Sequence, residues 1–172
     1  MTAPDLPETE YAPFYAGYVS LVPPHLAVAE ALQDSTASLL TYLRGVDSGR
    51  QDFAYAPGKW TIKQSLQHVV DTDRIFAYRA LRLARRDTTP LPGFEQDDYA
   101  DRADVSTVEF SDLIAEFRDH RQSLHALFRG FSEEGLAFTG TVSGRPMSCR
   151  AMGFIAAGHA FHHRAVYTER YG

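Results

Sequence analysis

Residues 61–86, TIKQSLQHVVDTDRIFAYRALRLARR, decide the fold class of this chain because neither proline nor glycine interrupts them. The stretch opens with Thr61-Ile-Lys-Gln64, a capping box in which the Thr61 side chain can accept a hydrogen bond from the Gln64 N–H. Its length allows about seven helical turns. The sequence therefore predicts a long helix that begins next to Thr61.

Three other segments carry apolar residues at helical spacing. The first covers residues 25–43. The second opens with Ser106-Thr-Val-Glu109, a second capping box, and continues as one narrow apolar stripe. The last begins after Ser148, a suitable N-cap, and runs towards Tyr171. Four long amphipathic helices without a persuasive strand predict an all-α protein, a four-helix bundle.

The segments between these helices differ in character. Residues 4–24 combine five prolines with four aromatic residues, which predicts an arm packed on the bundle rather than a long helix. Residues 87–105 form a polar loop of unusual length, and long ordered loops are often functional. Residues 135–147 read as loop with a short extended piece. No linker divides the chain, so we expect a single domain over 1–172, with the arm in 1–24 and the bundle in 25–172.

The composition limits the classes of function. The 172 residues carry a net charge of −5, only two of the 17 basic residues are lysines, and there is one cysteine. A disulfide framework and a cysteine-rich zinc finger are excluded. The acidic balance argues against nucleic acid as a partner and leaves a small molecule. No apolar run approaches the length of a membrane span and no signal peptide is visible, so we expect a cytoplasmic protein without membrane association.

Histidines concentrate near the C-terminus, where His159, His162 and His163 fall within five residues. On a helix His159 and His163 share one face, and two imidazoles so placed can hold one transition-metal ion. His162 follows the same inward line, so periodicity alone leaves His162 and His163 as alternatives. The competing interpretation is that these are hydrogen-bonded core or surface histidines.

A third ligand must come from another helix. His68 lies on a mixed polar and apolar side of the second predicted helix, which suits a pocket wall, while His120 on the third helix competes with it. Asp71 is a candidate fourth ligand, an acceptor that orients an imidazole, or a general base. Arg79 could bind a carboxylate or phosphate of a substrate. Cys149 sits in a first helical turn, where the dipole would favour a thiolate, but Arg150 is its only basic neighbour in sequence and we expect a structural role.

Several short motifs, in this order and spacing, carry a resemblance to a known family. They are Glu10-Tyr-Ala-Pro-Phe-Tyr15 with Tyr18, Tyr55-Ala-Pro-Gly-Lys-Trp-Thr-Ile-Lys-Gln64, Gln67-His68, Asp73-Arg-Ile-Phe-Ala-Tyr-Arg79, Leu91-Pro-Gly-Phe94 and Gly158-His-Ala-Phe-His-His163. The chain resembles the DinB-like (YfiT-like) superfamily of metal-dependent four-helix-bundle proteins. The resemblance extends from about residue 10 to the C-terminus.

The resemblance implies an up-down-down-up bundle, commonly a homodimer, with a divalent metal ion held by three histidines. By position these are His68, His159 and His163, with His162 as a neighbour. In one respect the chain departs from its relatives, which often carry a carboxylate where it has Gln64. Three imidazoles would leave coordination positions open, unlike a closed structural zinc site.

An open site of this kind favours a metal-dependent enzyme. The resemblance points to transferases or isomerases that use a low-molecular-weight thiol and to hydrolases, each acting on a small molecule. Zinc or nickel is the expected ion, with iron or manganese as alternatives, since imidazole ligation does not select one metal. The alternative function is a non-catalytic dimeric bundle that binds a ligand or serves a stress response.

Overall fold

The computed structural model describes residues 1–171, and helices dominate that part of the chain. A single two-stranded hairpin accompanies seven α-helices within it. The elements are α1 (Ala16–Val19), α2 (Val28–Arg44), α3 (Ile62–Ala84), α4 (Gln96–Arg102), α5 (Phe110–Arg129), α6 (Glu133–Ala137), β1 (Thr139–Val142), β2 (Arg145–Ser148) and α7 (Cys149–Arg170). The four long helices α2, α3, α5 and α7 form a four-helix bundle, which confirms the predicted fold class.

Two of the predicted helix starts are confirmed by their hydrogen bonds. Thr61 Oγ1 accepts a hydrogen bond from the Gln64 N–H at 3.1 Å, and Gln64 Oε1 accepts one from the Thr61 N–H at 2.8 Å. At the start of α7, Ser148 Oγ accepts from the Ala151 N–H at 3.0 Å. Both caps satisfy backbone donors that a first helical turn leaves free.

The capping box predicted at Ser106 is wrong. Helix α5 begins at Phe110, and its N-cap Glu109 makes no capping hydrogen bond through its side chain. The N–H and hydroxyl of Ser106 donate instead to Asp104 Oδ1 at 3.0 and 2.6 Å. Asp104 forms a local turn with Ser106, and such side-chain bonds to nearby backbone compete with helix.

Two connecting segments contain more regular structure than the sequence suggests. The loop predicted over 87–105 includes helix α4. The segment 135–147 holds most of an antiparallel hairpin, in which Val142 pairs with Arg145. The hairpin turn uses two residues with positive φ, Ser143 and Gly144. An Asn-Gly or Asp-Gly pair would have signalled this turn, and its absence hides the hairpin from a sequence reading.

The direction of each long helix follows from contacts between helix ends. Tyr42, near the end of α2, donates a hydrogen bond to the Tyr167 carbonyl near the end of α7 at 2.9 Å, so these two helices are parallel. Ser65 at the start of α3 contacts His163 near the end of α7, so these two are antiparallel. The first turns of α3 and α5 share one core cluster and their last turns share another. The order is up-down-down-up.

This topology explains the long connection between α3 and α5. Both helices point the same way and pack against each other. The chain must therefore return along a helix of about 35 Å before α5 can begin. Helix α4 lies in this returning segment and packs against α3. The up-down-down-up order thus places an extra segment of chain on the outside of the bundle.

The N-terminal arm is packed on the bundle, as predicted. Helix α1 approaches α7 so closely that a Cβ atom built at Gly158 would lie 2.0 Å from the Tyr18 carbonyl oxygen. Glu10 pairs with Arg150 of α7, with Nε and Oε2 2.7 Å apart. None of the helices described in residues 1–171 is long and apolar enough to cross a membrane.

Candidate metal centre

Three buried histidines meet between α3 and α7. His68 projects from α3, while His159 and His163 lie one turn apart on α7. His159 Nε2 is 3.1 Å from His163 Nε2 and 3.3 Å from His68 Nε2. All three side chains are buried, with exposed fractions of 6% for His68, 2% for His159 and 7% for His163. The candidate ligand atoms all lie within 4.8 Å of one another.

This spacing fits a divalent transition-metal ion. Two nitrogen ligands that each lie 2.0–2.1 Å from a tetrahedral ion are about 3.4 Å apart. The two measured Nε2 separations are close to that value. Protein ligands from two helices would occupy three positions, and the rest would be open to water or another ligand.

Burial keeps these imidazoles neutral, the form that binds metal. It lowers the pKa of His68 to about 4, against a smaller opposing effect of the Asp71 and Asp97 charges. Desolvation also holds the pKa values of His159 and His163 well below the ordinary value of 6.5, and the neighbouring histidines add to the shift. Near neutral pH each of the three imidazoles therefore keeps one unprotonated nitrogen that can bind a metal ion.

His163 is held by hydrogen bonds on the side away from the cluster. Its Nδ1 lies 3.1 Å from Ser65 Oγ, and the Tyr167 hydroxyl donates to the same Ser65 oxygen at 3.0 Å. A histidine that binds metal through one nitrogen usually donates the other N–H to such an acceptor. Ser65 thus engages Nδ1 of His163, and Nε2 is the nitrogen that faces the other two histidines.

Aromatic rings surround the other two histidines. Trp60 lies on His68 with 4.8 Å between ring centroids, and Tyr18 meets His159 edge to face at 5.4 Å. Phe76 adds a further contact with His159 at 6.0 Å. These aromatic rings limit the access of water to the cluster. Within it, Nδ1 of His159 is buried and has no hydrogen-bond partner among residues 1–171.

The two competing histidines lie outside the cluster. His162 packs against Tyr18 and His163, with 5.4 Å between ring centroids in each case. His120 is half-buried on α5, and its Nε2 finds no hydrogen-bond partner in the described part of the chain. The metal-site geometry thus brings together His68, His159 and His163.

The other predicted site residues have well-defined surroundings. Asp71 Oδ1 accepts hydrogen bonds from Gln67 at 3.0 Å and Arg74 at 3.1 Å. Buried Arg79 donates from Nη2 to the Pro92 carbonyl at 2.7 Å and so fixes the returning segment. Cys149 is buried, and burial raises the pKa of its thiol to about 12, which supports the structural alternative.

Sequence reasoning misses several residues around the centre. Asp97 of α4 approaches His68 from the returning segment, and its position has no periodic signal in the sequence. Ser65 stands three residues before His68, but only packing against α7 reveals its partner. Asp73 and Arg121 form a fully buried ion pair at 2.7 Å, and a charge on the inward stripe of α5 could have indicated it.

Fold and site together define a helical-bundle protein with a buried three-histidine centre. The family model of the DinB superfamily matches residues 31–166, and the chain belongs to that superfamily. No curated protein matches the chain significantly in sequence.

Several solved structures share the fold. YfiT from Bacillus subtilis, described as a probable metal-dependent hydrolase with an unusual four-helix bundle topology, is 17% identical, with a TM-score of 0.74 over 93% of this chain and 91% of that one. The mycothiol-dependent maleylpyruvate isomerase is 16% identical, with a TM-score of 0.69. That match covers all of this chain but 63% of the isomerase. At such identities the likeness shows the fold alone.

Proposed function

We propose that this protein is a metal-dependent enzyme in which His68, His159 and His163 bind one divalent transition-metal ion. It would transfer a low-molecular-weight thiol, or water, to a small molecule. The observation that carries this proposal is the convergence of three neutral, buried Nε2 atoms at separations suited to one ion. Zinc or nickel is the expected ion, with iron or manganese as alternatives.

The donor set supports a catalytic rather than a structural centre. Three imidazoles without a cysteine leave at least one position open, whereas structural zinc sites are closed by four protein ligands. A bound divalent ion lowers the pKa of a thiol or water towards neutrality and so makes the anion available as a nucleophile. The chain's own contribution is to orient the imidazoles and to limit water with Trp60, Tyr18 and Phe76.

Thiol transfer and hydrolysis are the two branches of this proposal. The relative from Bacillus subtilis is described as a probable hydrolase, and the isomerase depends on mycothiol. Both reactions need a nucleophile that loses a proton next to the three imidazoles.

A role of Asp71 in proton transfer and a role of Arg79 in anchoring the substrate stay predictions. The Asp71 charge acts on His68, but Gln67 and Arg74 already engage one of its oxygens. Arg79 Nη1 is buried and has no hydrogen-bond partner within residues 1–171. A carboxylate or phosphate that penetrates beside Phe94, whose ring lies 5.5 Å from this guanidinium, would satisfy it.

The metal content of untagged protein tests the proposal. We expect about one divalent ion per chain, which His159→Ala abolishes and His162→Ala, the matched control, retains. Elemental analysis after gel filtration gives the stoichiometry, and chelation should lower the melting temperature. The outcome expected for the alternative, a non-catalytic ligand-binding bundle, is different. The wild-type protein would then be folded and metal-free, would be unaffected by chelator and would show no thiol-dependent or hydrolytic turnover.

A further inference from the structure

Arg121 of α5 joins the two helices that carry the histidines. Its Nε lies 2.7 Å from Asp73 Oδ2 on α3, and its Nη2 donates a hydrogen bond to the Ala156 carbonyl on α7 at 3.0 Å. Helices α5 and α7 lie diagonally in the bundle, since each of them packs on α2 and α3. The Arg121 side chain therefore crosses the centre of the bundle, where it and the Asp73 side chain are fully buried.

The contacts of Arg121 with Asp73 and Ala156, which we call the Arg121 bridge, lie close to the histidine cluster. Asp73 follows His68 by five residues on α3, which is about 7.5 Å along the helix axis. Ala156 precedes His159 by three residues and shares its face of α7. Burial and the two neighbouring histidines lower the pKa of His159 most, and the Arg121 charge acts in the same direction. The bridge thus contacts both helices within about two turns of the candidate ligands.

His159 depends on the position of its helix more than His163 does. Ser65 contacts Nδ1 of His163 at 3.1 Å, whereas Nδ1 of His159 is buried without a hydrogen-bond partner among residues 1–171. Histidines that bind metal usually donate this N–H to an outer acceptor, which orients the ring. Without such an acceptor, the place of the His159 ring follows from the position of the α7 backbone, to which Arg121 donates at Ala156.

The energetics of a buried ion pair favour a role in geometry over a role in stability. Taking two charges out of water can cost as much free energy as their attraction returns, and apolar replacements of similar volume are often equally stable. An ion pair and a hydrogen bond nevertheless have a defined distance and direction, whereas apolar surfaces can slide past each other. Metal ligands tolerate errors of only about 0.2 Å in distance. A polar contact of fixed length next to the ligands meets that requirement.

We propose that Arg121 and Asp73 are positioning residues of the centre, which set the register of α3 against α7 at which the three histidines converge. This inference rests on the metal site of the proposed function and holds for either of its two branches. Neither side chain is among the residues that line the cavities beside His159 and His163, so both act through the helices that they join.

The double variant Asp73→Leu with Arg121→Met tests this role. It removes one positive and one negative charge, so the net charge near the centre is unchanged. The variant should fold, since apolar residues can replace a buried ion pair. It should bind zinc about 10- to 100-fold more weakly than wild type, as for other outer residues that place ligand histidines. Competition with a chromophoric chelator measures the dissociation constant, and the visible absorption of the cobalt(II) form should change because it reports coordination geometry.

Two further variants separate position from stability. Leu124→Ala is the matched control, since it removes buried apolar contacts from the same helix one turn beyond Arg121. It should lose stability but keep the cobalt(II) spectrum and, within about threefold, the zinc affinity of wild type. Arg121→Lys keeps the charge opposite Asp73, but one ammonium group replaces the fork that reaches both helices. Its zinc affinity should lie between those of wild type and the double variant.

Spin labels measure the register of α3 against α7 without metal. Tyr78→Cys on α3 and Glu169→Cys on α7 introduce thiols at exposed positions, while the buried Cys149 stays unlabelled. In metal-free protein, pulsed electron–electron double resonance should give one narrow distance for the wild-type bridge. With Asp73→Leu and Arg121→Met added, the distance distribution should shift or broaden.

The possible outcomes separate this inference from the proposed function. A folded double variant with the zinc affinity and cobalt(II) spectrum of wild type would overturn the positioning role, and so would an unchanged distance distribution. An equal loss of zinc affinity in Leu124→Ala would also overturn it, because the effect would then follow stability. Wild type that takes up no zinc would refute the proposed function, and the spin-label distances would still decide whether the Arg121 bridge sets the register.

Discussion

The hydroxyl oxygen of Ser65 lies 3.1 Å from Nδ1 of His163 and ties the first turn of α3 to the last turns of α7. Tyr167 donates to the same oxygen, so the hydroxyl sits between a tyrosine and an imidazole. The three residues are buried. This contact holds the ring of His163 in the orientation that aims Nε2 at the other two histidines.

Ser65→Ala should weaken metal binding about 10- to 100-fold, because outer partners of ligand histidines contribute that much to affinity. Competition with a chromophoric chelator measures the dissociation constant for zinc. Ser65→Thr keeps the hydroxyl and should restore most of the affinity. Ser35→Ala is the control, since it removes a buried hydroxyl that bonds only to the Leu32 carbonyl of its own helix. Equal affinity in Ser65→Ala and wild type would show that the contact does not position His163.

The buried ion pair of Asp73 and Arg121 should behave differently when it is broken and when it is replaced. Both side chains are fully buried, and burial raises the pKa of Asp73 although Arg121 beside it acts in the opposite direction. Arg121→Met leaves an uncompensated carboxyl group and should cost about 3–5 kcal/mol in the free energy of unfolding. The double variant Asp73→Leu with Arg121→Met should be more stable than this single variant. Urea denaturation gives the free energy of unfolding of each variant. A double variant whose loss of stability equals the sum of the losses of its two single substitutions would contradict the expectation.

Gly158→Ala should separate the arm from α7. The new Cβ would lie 2.0 Å from the backbone carbonyl oxygen of Tyr18, which cannot move without α1. We expect a loss of about 1–3 kcal/mol in stability, as for other overpacked sites. Gly17→Ala on α1 is the control, since its Cβ would meet no atom within 4 Å. If thermal denaturation found the two variants equally stable, the close approach of α1 to α7 would be in error.

The contact between Glu10 and Arg150 should make stability depend on pH in the acid range. The Arg150 guanidinium holds the pKa of Glu10 below its ordinary value of 4.5. A lowered folded-state pKa stabilises the fold above pH 4.5, and this contribution is lost as the pH falls through the folded value. Glu10→Gln should therefore be less stable than wild type at pH 7, by about 1 kcal/mol or less for a partly exposed pair.

The difference between Glu10→Gln and wild type should disappear as the pH is lowered below 4.5. Denaturation curves between pH 7 and pH 3 measure it. Glu8→Gln is the control, because Glu8 lies on the same turn and is exposed. A difference that stays constant over this range would mean that the contact stabilises the arm through packing and not through charge.

The local structure was predictable from the sequence where its stability depends on residues that are close together along the chain. The Thr61 capping box and the Ser148 cap are examples, since donor and acceptor lie three residues apart. The prediction failed at Ser106, where the nearby Asp104 offered a competing acceptor. It also missed α4, because a helix of seven residues in a polar segment depends on its packing against α3.

The four long helices and the histidine pair spaced by one helical turn were predictable from the sequence, because both are periodic properties of neighbouring residues. Helical periodicity left His162 and His163 as alternatives, and the family resemblance favoured His163. The packing of α7 against α3 places His163 beside His68, since His162 and His163 differ by about 100° around α7. The tertiary structure also decided that Asp97 approaches the centre. The parallel directions of α3 and α5 force the chain to return past the site, and no local pattern encodes that path.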